Sequence, residues 1–182
     1  IKMSMRADID HVLVDEEQIN AITKKLGEQI SNDYKGKNLL LVSILKGAVV
    51  FLSDLMRNIS IDCNIDFMVV SSYGSGTKTS GVVKIVKDLD LNLANYDVLI
   101  VEDILDSGLT LSYIVEMLKG RSPSSIKICT FLDKPDRRTA DIKADYVGMS
   151  VPDEFVVGYG LDYNEKYRNL PFVGVLKEEI YK

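Results

Sequence analysis

Val98-Leu-Ile-Val-Glu-Asp-Ile-Leu-Asp-Ser-Gly-Leu-Thr110 decides the fold. Four apolar residues read as a strand, the carboxylates of Glu102, Asp103 and Asp106 follow, and a small-residue loop then opens a helix after Thr110. A helix N-terminus has unpaired N–H groups, and Ser107, Gly108 and Thr110 add hydroxyls and a close backbone approach, so the loop suits a phosphate. Ionised carboxylates only accept hydrogen bonds, so beside a phosphate cradle Glu102 and Asp103 fit ribose hydroxyls or a hydrated Mg²⁺. Asp106 is then free for another task. The same residues taken singly also fit a buried strand followed by an Asp cap, and the acidic pair a solvated strand end.

Outward from this stretch, strands alternate with helices. Leu39 to Leu45 is apolar apart from Ser43, Lys46-Gly47 makes a turn, and residues 48–56 have helical character. Ile19, Ile22, Leu26 and Ile30 recur at spacings of three and four within residues 16–31, and Asp15, Glu16 and Glu17 favour the N-terminus of that helix. Residues 65–72 and 82–87 read as strands around a Gly-, Ser- and Thr-rich loop, and 126–132, 146–149 and 172–176 as further strands before a short polar tail. The pattern predicts one α/β domain over residues 1–182, with a largely parallel sheet flanked by helices and ligands beyond the carboxyl ends of its strands. Lys46-Gly47 and the acidic motif both fall at such ends.

Length, 46% hydrophobic and 27% charged residues suit an ordinary globular domain. A net charge of −5 gives no general basic field for a nucleic-acid backbone, so an anionic ligand needs a local pocket. Cys63, Cys129 and the single His11 support neither a disulfide framework nor a zinc site. No apolar run is long enough for a membrane helix and no signal peptide is visible, so a cytoplasmic protein is expected. Gly74-Ser-Gly-Thr-Lys-Thr79 lacks the glycines of a P-loop at Ser72 and Thr77, and no strand leads into G-x-G-x-x-G.

Val101 to Thr110 resembles the phosphoribosyl diphosphate (PRPP) motif of type I phosphoribosyltransferases. Leu45-Lys-Gly-Ala48, Ser72-Tyr73, Asp133-Lys134, Val151 to Asn164 and Arg168 narrow the likeness to the hypoxanthine phosphoribosyltransferases, bacterial ones especially, over nearly the whole chain. The resemblance implies that the last thirty or so residues form a small lobe over the sheet and its ligand site. It also implies a purine-salvage reaction in which hypoxanthine, and also guanine, displaces diphosphate from PRPP with Mg²⁺, forming IMP or GMP in a homodimer or homotetramer. Neither nucleic acid nor a membrane is an expected partner.

By the same resemblance, Asp106 accepts the purine N7 proton, Glu102 and Asp103 engage the ribose diol and Mg²⁺, and Asp106, Ser107, Gly108, Leu109 and Thr110 hold the 5′-phosphate. Many relatives carry lysine where Leu109 stands, so here backbone dipoles and hydroxyls must suffice. Lys46, Gly47 and Arg168 would meet diphosphate, the turn often containing a strained peptide between the residues matching Leu45 and Lys46. Lys134 can donate to a 6-oxo group but cannot accept from a 6-amino group, which favours hypoxanthine and guanine. Phe155 would stack on the base, the Val156 backbone would bond its edge, and Asp162 would reach a second Mg²⁺ and the guanine 2-amino group. Ser72 and Tyr73 would belong to a lid over residues 71–80. Taken alone, Lys46 and Lys134 also fit solvated lysines and Phe155 and Val156 ordinary core. With His11 alone near the N-terminus, a carboxylate and not an imidazole must serve as base. Two rivals are a nucleotide- or RNA-binding regulator on the same fold and a transferase for xanthine, adenine or a pyrimidine.

Overall fold

The structure, a computed structural model, describes residues 5–72 and 83–182. Its core is a six-stranded sheet built from β2 (Leu39–Leu45), β3 (Cys63–Ser72), β4 (Val83–Lys87), β5 (Asp97–Leu105), β6 (Ser125–Asp133) and β7 (Tyr146–Ser150), in the order β4-β3-β2-β5-β6-β7. Every neighbouring pair is parallel except β3 with β4. This is the largely parallel α/β sheet that the alternation predicts.

The apolar runs have a direct cause: the central strands are covered on both faces, so both sets of alternating side chains are buried. Leu39, Leu41, Leu99, Val101, Cys129 and Phe131 face α1 (Glu16–Asp33) and α2 (Val49–Arg57). Leu40, Val42, Val98, Ile100 and Ile128 face α3 (Leu109–Lys119), which contributes Leu111, Ile114 and Leu118. Asp15 caps α1 by accepting from Gln18 N at 2.8 Å while Gln18 Oε1 accepts from Asp15 N at 2.9 Å, a reciprocal capping box.

Three expectations need correction. The strand through the decisive stretch does not stop at Val101 but continues to Leu105, because Glu102, Ile104 and Leu105 keep pairing with Thr130, Leu132 and Asp133 of β6. The helix after it starts at Leu109, ahead of Thr110, on a Gly108 whose φ is +80°. The small lobe is not made from the chain's end alone. It is an antiparallel sheet β1-β9-β8, with β1 (Ile9–Val14) brought from the N-terminal segment beside β9 (Val173–Leu176) and the two-residue β8 (Val156–Val157). β1 escapes sequence reading because Asp10, His11 and Val12 are exposed in a row, without the alternation of a half-buried strand, and because it bulges twice against β9. The polar tail forms a short helix, α4 (Glu178–Tyr181), whose Ile180 and Tyr181 pack on the lobe's own cluster of Val157, Tyr167, Leu170, Phe172 and Leu176.

Candidate active site

The site forms where the carboxyl ends of β2 and β5 meet the lobe. At the end of β5, the loop from Asp106 to Gly108 turns tightly into α3. An added Cβ on Gly108 would lie 2.5 Å from Ile142 Cγ2, so its positive φ and its surroundings both require glycine. No side chain caps α3, and the first bond of the helix runs from Ser112 N to Gly108 O at 2.8 Å. Ser107 Oγ reaches Leu109 N only at 3.4 Å. This helix start, whose first N–H groups have no partner within the helix, borders a cavity of ≈ 170 Å³ lined by Glu102, Asp106, Ser107, Gly108 and Thr110. Leu109 itself is exposed.

The loop is held from behind by a residue outside the predicted set. Arg138 donates to Asp106 O at 2.9 Å, to Ile142 O at 2.8 Å and to Leu105 O at 3.3 Å, and pairs with Asp133. Thr139 N and Ala140 N both donate to Ser107 O, at 3.0 and 3.1 Å. The carbonyls of Leu105, Asp106 and Ser107 are thus engaged from this side. Two adjacent arginines, 137 and 138, were the only hint in the sequence.

Glu102 and Asp103 sit inside β5. Glu102 Oε1 is buried with no hydrogen-bond partner, and burial, then the Asp103 charge, pushes this carboxyl well above the usual range. Burial raises Asp103 to about 6, against the bond from Ile104 N at 2.7 Å and the attraction of Arg168. Glu102 Oε1 in this pair lacks a donor or a cation. Among the described residues no cluster of three or more metal-ligating side chains occurs, but Mg²⁺ characteristically takes one or two carboxylates, waters and substrate oxygens. The orphaned oxygen and the two carboxylates fit that ion.

Lys46 follows β2, and the Leu45–Lys46 peptide is cis. Gly47 lies so close to Asp103 that an added Cβ would be 2.0 Å from Oδ2. Lobe and turn also touch directly, since a Cβ on Gly160 would fall 2.1 Å from Gly47 O. Lys46 Nζ donates to Glu165 Oε2 at 2.9 Å, and Arg168 pairs with Glu165 at 3.3 Å and with Asp162 at 3.1 Å while donating to Gly160 O at 2.8 Å. The two cations therefore share one acidic loop residue, Glu165, that the sequence alone did not single out. The other Asp162 oxygen accepts from Glu165 N at 2.9 Å. Both Asp162 oxygens are thus engaged within the lobe.

Beside this polar end lies a cavity of ≈ 380 Å³ bordered by Ile104, Asp106, Lys134, Arg137, Phe155, Val156 and Tyr181. Ile104 and Asp106 border both cavities, so the two adjoin there. Lys134 is buried, which lowers its pKa, and its Nζ donates to Glu154 O at 2.5 Å. Asp106 Oδ1 accepts from Arg137 Nε at 3.2 Å, and Arg137 reaches Asp153 at 3.5 Å. Phe155 is partly exposed, while Val156 is buried in β8 and paired with Val175. Tyr73 lies outside the described residues, and Ser72 ends β3. His11 stands on β1 with its Nδ1 2.8 Å from Asp10 Oδ2 and its Nε2 3.8 Å from Glu154 Oε2.

Residues 13–164 match the family model of the phosphoribosyl transferase domain. The chain is 56% identical over 177 residues to the hypoxanthine-guanine phosphoribosyltransferase of Streptococcus thermophilus, covering 97% of this chain and 98% of that one. It is 54% identical over 178 residues to the enzyme of that name from Bacillus subtilis, covering 98% and 99%. A crystal structure of a hypoxanthine phosphoribosyltransferase from Staphylococcus aureus superposes with a TM-score of 0.97 at 54% identity, covering 100% of this chain and 99% of that chain.

Proposed function

This chain belongs to the phosphoribosyltransferase family, and from that premise we propose that it salvages purines by transferring 5-phosphoribosyl from PRPP to hypoxanthine and guanine. The products are IMP or GMP and diphosphate. The observation that carries the reading is the adjacency of two unlike cavities at Ile104 and Asp106: a small one bordered by Ser107, Gly108 and Thr110 at the start of α3, and a larger one bordered by Phe155 and the buried Lys134.

The anomeric carbon of PRPP then lies between the acidic pair and Asp106. The first turn of α3, with Ser107 and Thr110, binds the 5′-phosphate, and Glu102 and Asp103 take the ribose diol. Lys46, the Gly47 backbone and Arg168 hold the diphosphate. As diphosphate leaves, positive charge grows on the ribose ring, and cationic groups on the departing anion stabilise that state. Glu102 and Asp103, with Asp162 at a second position, would hold Mg²⁺, which would supply positive charge to the departing diphosphate.

On the base side, Lys134 donates to O6, Phe155 stacks, and the Val156 backbone bonds the purine edge. Asp106 accepts the N7 proton as the new bond forms from N9 to the anomeric carbon. Arg137, already bonded to Asp106, orients that carboxylate. A dimer or tetramer of single domains spanning residues 1–182, in the cytoplasm, completes the reading. No helix among the described residues is long and apolar enough to cross a membrane.

The test is nucleotide formation from PRPP and Mg²⁺ with hypoxanthine, guanine, xanthine, adenine and uracil in parallel, each repeated with EDTA. EDTA-sensitive formation of IMP and GMP, with adenine and uracil inert, is the expected result. No product from any base in folded protein would overturn the assignment and favour a ligand-binding regulator.

A further inference from the structure

We infer that Tyr181, in the last turn of the chain, is a positioning residue for the purine: its ring backs Phe155 and fixes the face that Phe155 turns to the base. The inference rests on the base-site reading above. The two rings are stacked, with centroids 4.7 Å apart and planes at 20°. Tyr163 meets Phe155 at 5.6 Å and 89°, edge on. Phe155 needs such neighbours, because it lies just before β8 in a stretch without regular structure and is 38% exposed. Nothing in its local backbone fixes the ring.

The geometry also says which task Tyr181 serves. Asp153, Glu154, Phe155 and Tyr181 border both the ≈ 380 Å³ cavity and a neighbouring one of ≈ 760 Å³ on the β1 and α4 side, so they form the wall between the two. Ile104 borders only the first of these. An aromatic side chain has two faces, and Tyr181 takes one. The other is left to a planar base lying between Phe155 and Ile104. The C-terminal segment is anchored for this role: Leu176 N donates to Phe155 O at 2.8 Å and Lys177 N to Asp8 O at 3.0 Å, just before α4 delivers Tyr181.

The experiment compares Tyr181→Ala, Tyr181→Phe and Phe155→Ala in the full chain by kcat and by KM for hypoxanthine and for PRPP. Loss of one aromatic stack corresponds to about three- to tenfold. Tyr181→Ala is expected to raise KM for hypoxanthine by about that factor, with kcat and KM for PRPP unchanged, and Tyr181→Phe to restore it. An unchanged KM for hypoxanthine, a lowered one, or an equal rise for both substrates would overturn the inference, the lowered value meaning that the ring competes with the base. If Phe155→Ala is also silent, the base-site reading itself fails. If only Tyr181→Ala is silent, the backing role fails alone. Should Tyr181→Ala not fold, Tyr181→Trp gives a single reporter in a chain that has no Trp. Its emission is expected to shift with saturating IMP, and an indifferent spectrum contradicts the role.

Discussion

The end of β5 and the small lobe meet in one site, yet they are built in opposite ways. At β5, nine consecutive residues from Glu102 to Thr110 supply carboxylates, loop and helix start, and the sheet beneath them is covered on both faces. The lobe gathers β1 from the N-terminal segment, β8 and β9 from the C-terminal third and α4 from the last residues. The difference separates two jobs: a contiguous loop on a rigid sheet suits the invariant part of a substrate, the sugar phosphate, while an assembled lobe suits choice among bases.

The sharpest way to break this division is at Asp106, which belongs to the first region by sequence and borders the cavity of the second. Asp106→Asn is expected to lose about 10² to 10⁴ in kcat, the worth of a placed general base, with an unchanged melting temperature. Normal turnover in stopped-assay kinetics would remove Asp106 from the chemistry.

Arg138 tests whether the β5 loop is held from behind. Arg138→Met leaves Asp133 mostly buried without its partner, and removing one side of such a pair costs about 3 kcal/mol. Denaturant unfolding should show that loss, with weaker PRPP binding and an unaltered preference among bases. A change in base preference would mean that the two regions are not separable.

Lys134→Met addresses the other side. Loss of a charged donor to O6 corresponds to about ten- to a hundredfold in KM for hypoxanthine, measured at saturating PRPP, with KM for PRPP unchanged.

The smallest effect concerns pH. The Asp103 carboxyl rises from an ordinary 3.8 to about 6 in the folded chain, so the folded state holds a proton that the unfolded chain has released. The resulting stability is full below about 3.8 and is lost as pH rises through about 6. Asp103→Asn is expected to flatten thermal stability across that window in the absence of ligands. A slope that survives the substitution belongs to another group.

How much could be read in the chain follows the same division. The β5 motif, the Lys46–Gly47 turn and α1 were legible because strand, loop and cap residues lie next to one another and the apolar periods are clean. β1 was not, since Asp10, His11 and Val12 are all exposed on a bulged edge. Arg138 and Glu165 were missed for another reason. Their worth lies in partners 32 and 119 positions away, Asp106 O and Lys46 Nζ, which no local pattern reports. Phe155, Val156 and Asp162 entered through resemblance, and Tyr181 looked like part of a polar tail until α4 brought it to Phe155.

The most direct test of the division is one steady-state experiment: KM for PRPP and for hypoxanthine, with kcat, for Asp106→Asn and Lys134→Met beside the unaltered chain. The account predicts that Asp106→Asn falls in kcat with KM for PRPP unchanged, and that Lys134→Met rises in KM for hypoxanthine alone. A Lys134→Met variant whose KM for PRPP rises as much as that for hypoxanthine would contradict it.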